Sequence, residues 1–464
     1  MFFRQIFHDD LGCASYVIAS AGQAAVVDPK WDVEEYLSLA DEHGFEIRYL
    51  LETHNHADHV SGRGRLAAAT GARIYTPPTP GLGYAHETLA DGEAIEFGAV
   101  RIEAMATPGH RPEHTAYVVF DRERGDGPFA VLTGDSLFVG DVARPDLAVE
   151  AHEGAAELFT SLARLLELPD HVQVFPGHIG GSLCGGARMS EAPGSTIGYE
   201  RRANPMLSIS ERSRFVQAAT EGLAPQPPNF RRIVDLNRGP LLDRPAPLGT
   251  LTADEAAAVL DGGGTLIDSR APVQWMAGHV PGSLSVTIVH ATVGSRAAAA
   301  VDPASPVIVA AETDAQAHEV AARLEAVGFR DLRGILGGGV TSWRQAGRPT
   351  SITESIPVAE LAQRLRRGEV SLLDVRDENE WEAGHVAGSL HVPLLALSDE
   401  LESIRASADE RRLAVACTVG NRAAVAVSIL ERAGITGVIH VHDGGVEQLS
   451  HCGIELTAPV AVST

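Results

Sequence analysis

The sequence predicts an α/β protein: one larger domain with layered sheets, followed by two smaller parallel α/β units. Three observations predict it. Short apolar runs alternate with helical stretches along the whole chain. Residues able to bind a metal recur just after apolar runs in the first half, beside glycine. Past residue 250 the chain repeats itself, so that Asp268 recurs 106 positions later as Asp374. At 464 residues the length suits about three domains.

The bulk composition excludes several partners. The apolar share of 44% is ordinary for a globular protein, and the formal net charge is −24. Arginine supplies nearly all basic residues, and Lys30 is the only lysine. No basic run is present, which argues against nucleic acid and anionic membranes. No uncharged apolar run approaches the roughly 18 residues of a membrane span, and the first residues lack the apolar core of a signal peptide. The four cysteines, Cys13, Cys184, Cys417 and Cys452, are scattered. That pattern suits a reducing cytoplasm better than a disulfide framework.

Taken in order, Tyr16–Ala19 and Ala24–Asp28 read as a hairpin split by Gly22. Val33 to His43 is a predicted helix that Gly44 ends. A strand over Ile47–Leu51 leads into Thr53-His-Asn-His-Ala-Asp-His59, with three histidines and an aspartate in six residues. Such residues are costly to bury unpaired. Together they offer imidazole nitrogens and a carboxylate to one cation. Three later loops could complete the site. Thr107-Pro-Gly-His110 follows Val100–Ala106, with His114 one turn beyond. Thr133-Gly-Asp135 follows Phe129–Leu132, and Pro176-Gly-His178 follows Val172–Phe175. Cys13 reads as core, and Glu200 to Gly222 as the helical close of the domain.

In that order, the H-x-H-x-D-H knot with its later His, Asp and His resembles the metallo-β-lactamase superfamily. The resemblance implies an αββα sandwich over residues 1–237, with metal between the sheet edges. Hydrolases of the glyoxalase II type in that superfamily use two zinc-type ions, whereas persulfide dioxygenases use one iron. Thr53 to Gly62, and Thr133 to Asp146 with its Arg144-x-Asp, look like the dioxygenase versions. The resemblance then places one Fe(II) on His54, His110 and Asp135, a facial triad suited to non-heme iron. His56, Asp58, His59 and His178 become orienting groups or, in the alternative, ligands of a second metal. Arg144 and Cys184 are candidate substrate contacts; Cys184 also reads as a small residue in a tight loop. The Pro176–Cys184 loop looks like that of bacterial fusions carrying rhodanese domains behind the metal domain.

A linker is expected over 238–249, where three prolines interrupt periodicity. Two copies of one domain follow, over 250–350 and 351–464. Trp275, Gly278, His279 and Ser283 recur as Trp381, Gly384, His385 and Ser389. Leu373 to Ser389 resembles rhodaneses. The loop Cys417-Thr-Val-Gly-Asn-Arg422 joins a strand to a helix start. Loop N–H groups and a helix N-terminus stabilise a thiolate, and Arg422 could add positive field or hold an oxyanion. This looks like the rhodanese active loop, with Cys417 carrying a persulfide. The first copy has Ala311, Asp314 and Gln316 at the Cys417, Gly420 and Arg422 positions, and is expected to be inactive. Cys452 reads as structural.

The resulting expectation is a bifunctional enzyme of sulfur metabolism. A small thiol persulfide would be oxidised by O₂ to sulfite at iron, and Cys417 would make or use thiosulfate. The alternative is a binuclear thiolester hydrolase with a rhodanese appendage. The resemblance also implies a homodimer or homotetramer.

Overall fold

The structure, a computed structural model, describes all residues except 9–10, 181, 183, 187, 224, 288–292 and 458–464, and all described side chains except those of 293, 295 and 409. Two compact units result: Met1–Pro245 with Glu325–Gly328, and Ala246–Leu324 with Phe329–Thr464.

The first unit holds two six-stranded sheets. One runs β1 (Phe2–His8), β2 (Cys13–Ser20), β3 (Gln23–Val27), β4 (Glu46–Leu51), β5 (Arg73–Thr76) and β6 (Glu87–Thr88) in chain order. The other comprises β7 (Ala94–Phe97), β8 (Val100–Ala106), β9 (Thr115–Asp121), β10 (Pro128–Gly134), β11 (Gln173–Pro176) and β12 (Ser195–Thr196). The predicted hairpin is β2–β3, paired from Tyr16–Val27 to Ser20–Gln23. The helices are α1 (Glu34–His43), α2 (Arg63–Thr70), α3 (Ala151–Leu165), α4 (Ile197–Ala203), α5 (Arg212–Thr220) and α6 (Phe230–Arg238).

Side-chain alternation along strands builds the layers. Tyr16, Ile18, Val27 and Leu51 of one sheet meet Ile102, Tyr117, Val119 and Leu132 of the other. Their neighbours Val17, Val26 and Leu50 face outward onto Tyr36, Leu39 and Leu66 of α1 and α2. On the far side Val118, Val131 and Val174 pack against Leu158, Leu162 and Phe215 of α3 and α5. The order helix, sheet, sheet, helix follows. Of the expected linker 238–249, Arg238 ends α6 and residues 239–249 carry no helix or strand, yet Leu241 packs on the α1–α2 core.

The second unit contains the duplication. One parallel five-stranded sheet has the order Thr250–Leu251, Leu332–Leu336, Val307–Ala310, Thr265–Asp268, Leu284–Ser285. The other repeats it as Glu354–Pro357, Ile439–His442, Leu413–Ala416, Ser371–Asp374, Leu390–His391. Equivalent side chains do equivalent work. Trp275 stacks on His279 at 3.5 Å and Trp381 on His385 at 3.8 Å. Arg270 pairs with Asp268 and the Gly278 carbonyl, and Arg376 with Asp374 and the Gly384 carbonyl. The shared Asp-x-Arg is therefore a brace in both copies, with both side chains buried in the second.

Candidate metal centre and sulfur-carrier loop

The ends of β4, β8, β10 and β11 lie at one edge of the sandwich and bring the predicted residues together. His54, His110 and Asp135 each offer a ligand atom within 4.8 Å of the others, all buried. His110 Nε2 lies 3.4 Å, and His54 Nε2 3.9 Å, from Asp135 Oδ2. None of these three atoms has a hydrogen-bond partner among the described residues, and neither has His56 Nδ1 or His59 Nε2. Buried polar atoms are seldom left so; their convergence fits a cation with nitrogen and carboxylate ligands.

Surrounding groups set which nitrogen faces the centre. Thr53 Oγ1 donates to Asp28 Oδ2 at 2.9 Å and so accepts from His54 Nδ1 at 2.9 Å. His110 Nδ1 donates to the Arg144 carbonyl at 3.0 Å. In both rings this leaves the Nε2 lone pair inward. Burial pushes both imidazoles below their ordinary range, helped at His54 by the charge of His56. They are therefore neutral and able to bind a cation. The Asp135 amide donates to His114 Nε2 at 2.8 Å, and burial holds His114 down at about 3. Gly134 takes φ +48° to make this turn. At Gly177 a Cβ would stand 2.5 Å from Asp135 Oδ1, so glycine leaves room for the carboxylate.

The remaining residues of the knot bind one another. His178 donates from Nδ1 to Asp135 Oδ1 at 2.7 Å and from Nε2 to Asp58 Oδ2 at 2.9 Å. Burial would lower the His178 pKa, but Asp135 overrides it and the ring is held protonated. Burial would likewise raise Asp135, but His178 carries it down to about 2. His56 Nε2 lies 3.0 Å from Asp28 Oδ1 and 3.2 Å from Glu52 Oε2. Burial disfavours its charge, yet Asp28 and Glu52 raise it to about 10.

Three residues at this centre escape a sequence reading. Cys13, expected as plain core, donates to Asp58 Oδ2 at 2.9 Å and touches His178 Nε2 at 3.2 Å. Asp28, at φ +51°, also accepts the Thr53 amide at 2.7 Å. Asn237 of α6 donates to the carbonyls of His56 and His59 at 3.0 and 2.8 Å and accepts the Ser61 amide. Only Cys13 carried a signal, its chemistry; the other two are ordinary in sequence and far away in it.

Arg144 and Cys184 hold this wall together. The Arg144 side chain grips Asp146 at 2.7 and 2.8 Å, and its amide donates to the Cys184 carbonyl at 3.0 Å. Cys184 packs with Phe138, Ala143 and Met189. Its sulfur also lies within 4.8 Å of ligand atoms of Asp135 and His178, and burial pushes its thiol up to about 12.

In the second unit Cys417 follows the strand Leu413–Ala416, and Gly420, at φ +96°, caps the helix Asn421–Arg432. The Gly420 amide donates to Cys417 Sγ at 3.1 Å. His440 donates to the Gly420 carbonyl at 2.9 Å, and Gly445 passes so close to the Cys417 carbonyl that no side chain fits there. Arg422 lies within electrostatic reach of Cys417, as the first of its two expected roles requires, but its nitrogens are engaged. Its Nη1 donates to Asp377 at 2.9 Å and Glu380 at 2.6 Å, and its Nη2 to Glu380 at 2.7 Å and Thr418 at 2.9 Å. It braces the loop and is not free to receive an oxyanion.

Residues 8–178 match the Metallo-beta-lactamase superfamily, and residues 252–346 and 357–452 each match the Rhodanese-like domain. A hydroxyacylglutathione hydrolase from Anaeromyxobacter dehalogenans is 31% identical over 217 residues, covering 42% of this chain and 81% of that relative. The mitochondrial persulfide dioxygenase ETHE1 of Bos taurus is 28% identical over 240 residues, covering 50% of this chain and 86% of the relative. A crystal structure of a metallo-beta-lactamase from Staphylococcus aureus superposes with a TM-score of 0.63 at 26% identity, over 72% of this chain and 98% of that one. The chain belongs to the metallo-beta-lactamase superfamily and carries two rhodanese-like domains behind that fold.

Proposed function

We propose that the protein is a persulfide dioxygenase joined to a thiosulfate sulfurtransferase. Residues 1–237 oxidise a low-molecular-weight thiol persulfide with O₂ to sulfite, and residues 351–464 move sulfane sulfur through Cys417. Residues 250–350 are a catalytically empty copy. The rhodanese-like domains and the persulfide dioxygenase relative support sulfur metabolism in general; the specific activities are our reading.

One observation carries it. His54 Nε2, His110 Nε2 and Asp135 Oδ2 are unpartnered and converge, while Asp58, His178 and Cys13 are engaged with each other. That favours one three-ligand centre over a bridged pair. His54, His110 and Asp135 would hold Fe(II), which when bound supplies the activation of O₂. The chain's own residues do the rest. Thr53 and the Arg144 carbonyl aim the two imidazoles. His178 holds a proton between Asp135 and Asp58, fixing the rotamer of the ligating carboxylate. In the second unit the Gly420 amide supports the Cys417 thiolate, and Arg422 with Glu380 keeps the loop in shape. All four cysteines are free, which suits a reducing cytoplasm. No helix among the described residues is long and apolar enough to cross a membrane.

A binuclear hydrolase is the second reading, favoured by the unpartnered His59 Nε2 and His56 Nδ1 beside Asp58. Elemental analysis of anaerobically purified protein, with an oxygen electrode and a thiol persulfide, separates the two. One iron per chain with O₂ uptake is expected. Two zinc ions, no O₂ uptake and hydrolysis of an S-lactoyl thiol would replace the dioxygenase reading by the hydrolase.

A further inference from the structure

On the sulfur-transfer reading the Cys417 loop handles anions, yet Arg422 and Arg376 of its own copy are already paired. Arg422 is engaged by Asp377, Glu380 and Thr418. Arg376 is engaged by Asp374 and the Gly384 carbonyl. A further cation comes from the copy that lacks a thiol. Arg296 lies on the helix Val293–Ala300, which packs against the helix Asn421–Arg432 within the same compact unit. Arg296 is half-buried, and its Nη1 is fully buried with no hydrogen-bond partner among the described residues. Its guanidinium lies within electrostatic reach of Cys417, Arg422 and Asp377.

A buried guanidinium donor without an acceptor is costly. It is explained if an anion fills the position during turnover. We propose that Arg296 is the anion-binding cation of the Cys417 centre, supplied in cis by the thiol-less first copy, and that it binds the oxyanion group of thiosulfate or sulfite. The proposal rests on the sulfur-transfer reading of Cys417. Burial and the neighbouring Arg422 charge lower the Arg296 pKa, consistent with a cation short of counter-charge.

The step it serves is balanced without a further reagent. The Cys417 thiolate attacks the outer sulfur of thiosulfate and a new S–S bond forms. The S–S bond of thiosulfate breaks, and sulfite leaves with the electron pair. Arg296 holds the sulfonate end, whose charge grows as it departs. Guanidinium matches such an oxyanion in shape and charge. This gives the first copy a role without a thiol: Ala311 cannot carry sulfur, but its domain places a charge.

The test compares alkylation of Cys417 in the full chain by iodoacetate, an anion, and iodoacetamide, its neutral analogue, read on the Cys417 peptide by mass spectrometry. The iodoacetate-to-iodoacetamide rate ratio should fall about tenfold in Arg296→Gln, the order expected for one partly buried charge contact, and recover largely in Arg296→Lys. The KM for thiosulfate should rise in the Gln variant more than kcat falls. A loosened loop would change both alkylation rates together and leave the ratio fixed. An unchanged ratio in Arg296→Gln, or a Lys variant no better than Gln, overturns the assignment. Absence of sulfur transfer from thiosulfate in the unmodified protein would instead sink the sulfur-transfer reading, and the alkylation ratio would still decide Arg296.

Discussion

Cys13 donates its thiol to Asp58 Oδ2 at 2.9 Å and stands 3.2 Å from His178 Nε2. The start of β2 is thereby inserted between two residues that a second metal would need. The expected metal content is one ion per chain. Cys13→Ala removes the thiol from both groups and leaves only the His178 Nε2 contact on Asp58 Oδ2 for a metal to displace, and should raise the zinc bound after dialysis from one towards two equivalents. Elemental analysis after gel filtration reads this directly. A capacity that stays at one would show that something other than Cys13 closes the second position.

Asp135→Ala should lose iron, because two neutral imidazoles seldom retain Fe(II) against solvent. It also strips His178 of its 2.7 Å acceptor, so a stability loss of about 1–3 kcal/mol is expected from the orphaned buried donor. O₂ uptake should vanish while thiosulfate sulfurtransferase activity persists, since Cys417 lies in a different compact unit. Normal iron content in this variant would refute the ligand set.

Glu380 links loop shape to pH. Burial would raise its pKa, but Arg422 carries it from 4.5 down to about 2. A depressed carboxylate stabilises the fold fully above its unfolded pKa and loses that contribution as pH falls towards the folded value. The window is therefore about pH 4.5 to 2. Glu380→Gln should cost about 1 kcal/mol at pH 7, the scale of a partly screened ion pair. The gap between variant and parent should close on acidification through that window. Denaturant unfolding at pH 7 and pH 3 measures it; a gap of equal size at both would exclude the ion pair as its cause.

Ala311→Cys should not create a second sulfur carrier. Thr313 caps the helix that begins at Asp314, with its hydroxyl accepting the Gln316 amide at 3.2 Å. Gln316 Oε1 reaches back to the Thr313 amide, also at 3.2 Å. The loop amides are thus taken by a capping box. Glu312 and Asp314 add negative charge beside the site, which opposes a thiolate. Cyanolysable sulfur recovered on residue 311 would contradict this.

What the sequence made legible follows from distance along the chain. The metal residues sit next to strand ends, so local pattern finds them: His54, His110, Asp135 and His178 each follow an apolar run. The duplication is legible because identities recur at one offset. Cys13, Asp28 and Asn237 reach the centre from β2, the end of β3 and α6, and no local pattern ties them to it. The same limit explains Arg422. Its motif position suggests positive field or an oxyanion contact, and no local pattern shows that Glu380, 42 residues earlier, engages it. Arg296 is harder still, since its relevance depends on how the two copies pack.

The last prediction concerns coupling between the two chemistries. Both centres are on one chain, and a tether raises the effective concentration of one at the other, to about the mM range for short linkers. Sulfite made by the first unit should then meet a Cys417 persulfide before it escapes. Cys417→Ser keeps the side chain's size and removes the carrier, because a serine alkoxide does not form at neutral pH without an activating base. The variant should consume O₂ with a thiol persulfide at the parental rate, and its product should shift from thiosulfate to sulfite. Chromatography of the alkylated products at short times, with the uncatalysed reaction subtracted, distinguishes the two. Thiosulfate as the main early product of Cys417→Ser would mean that sulfite leaves the first unit and finds its sulfur elsewhere.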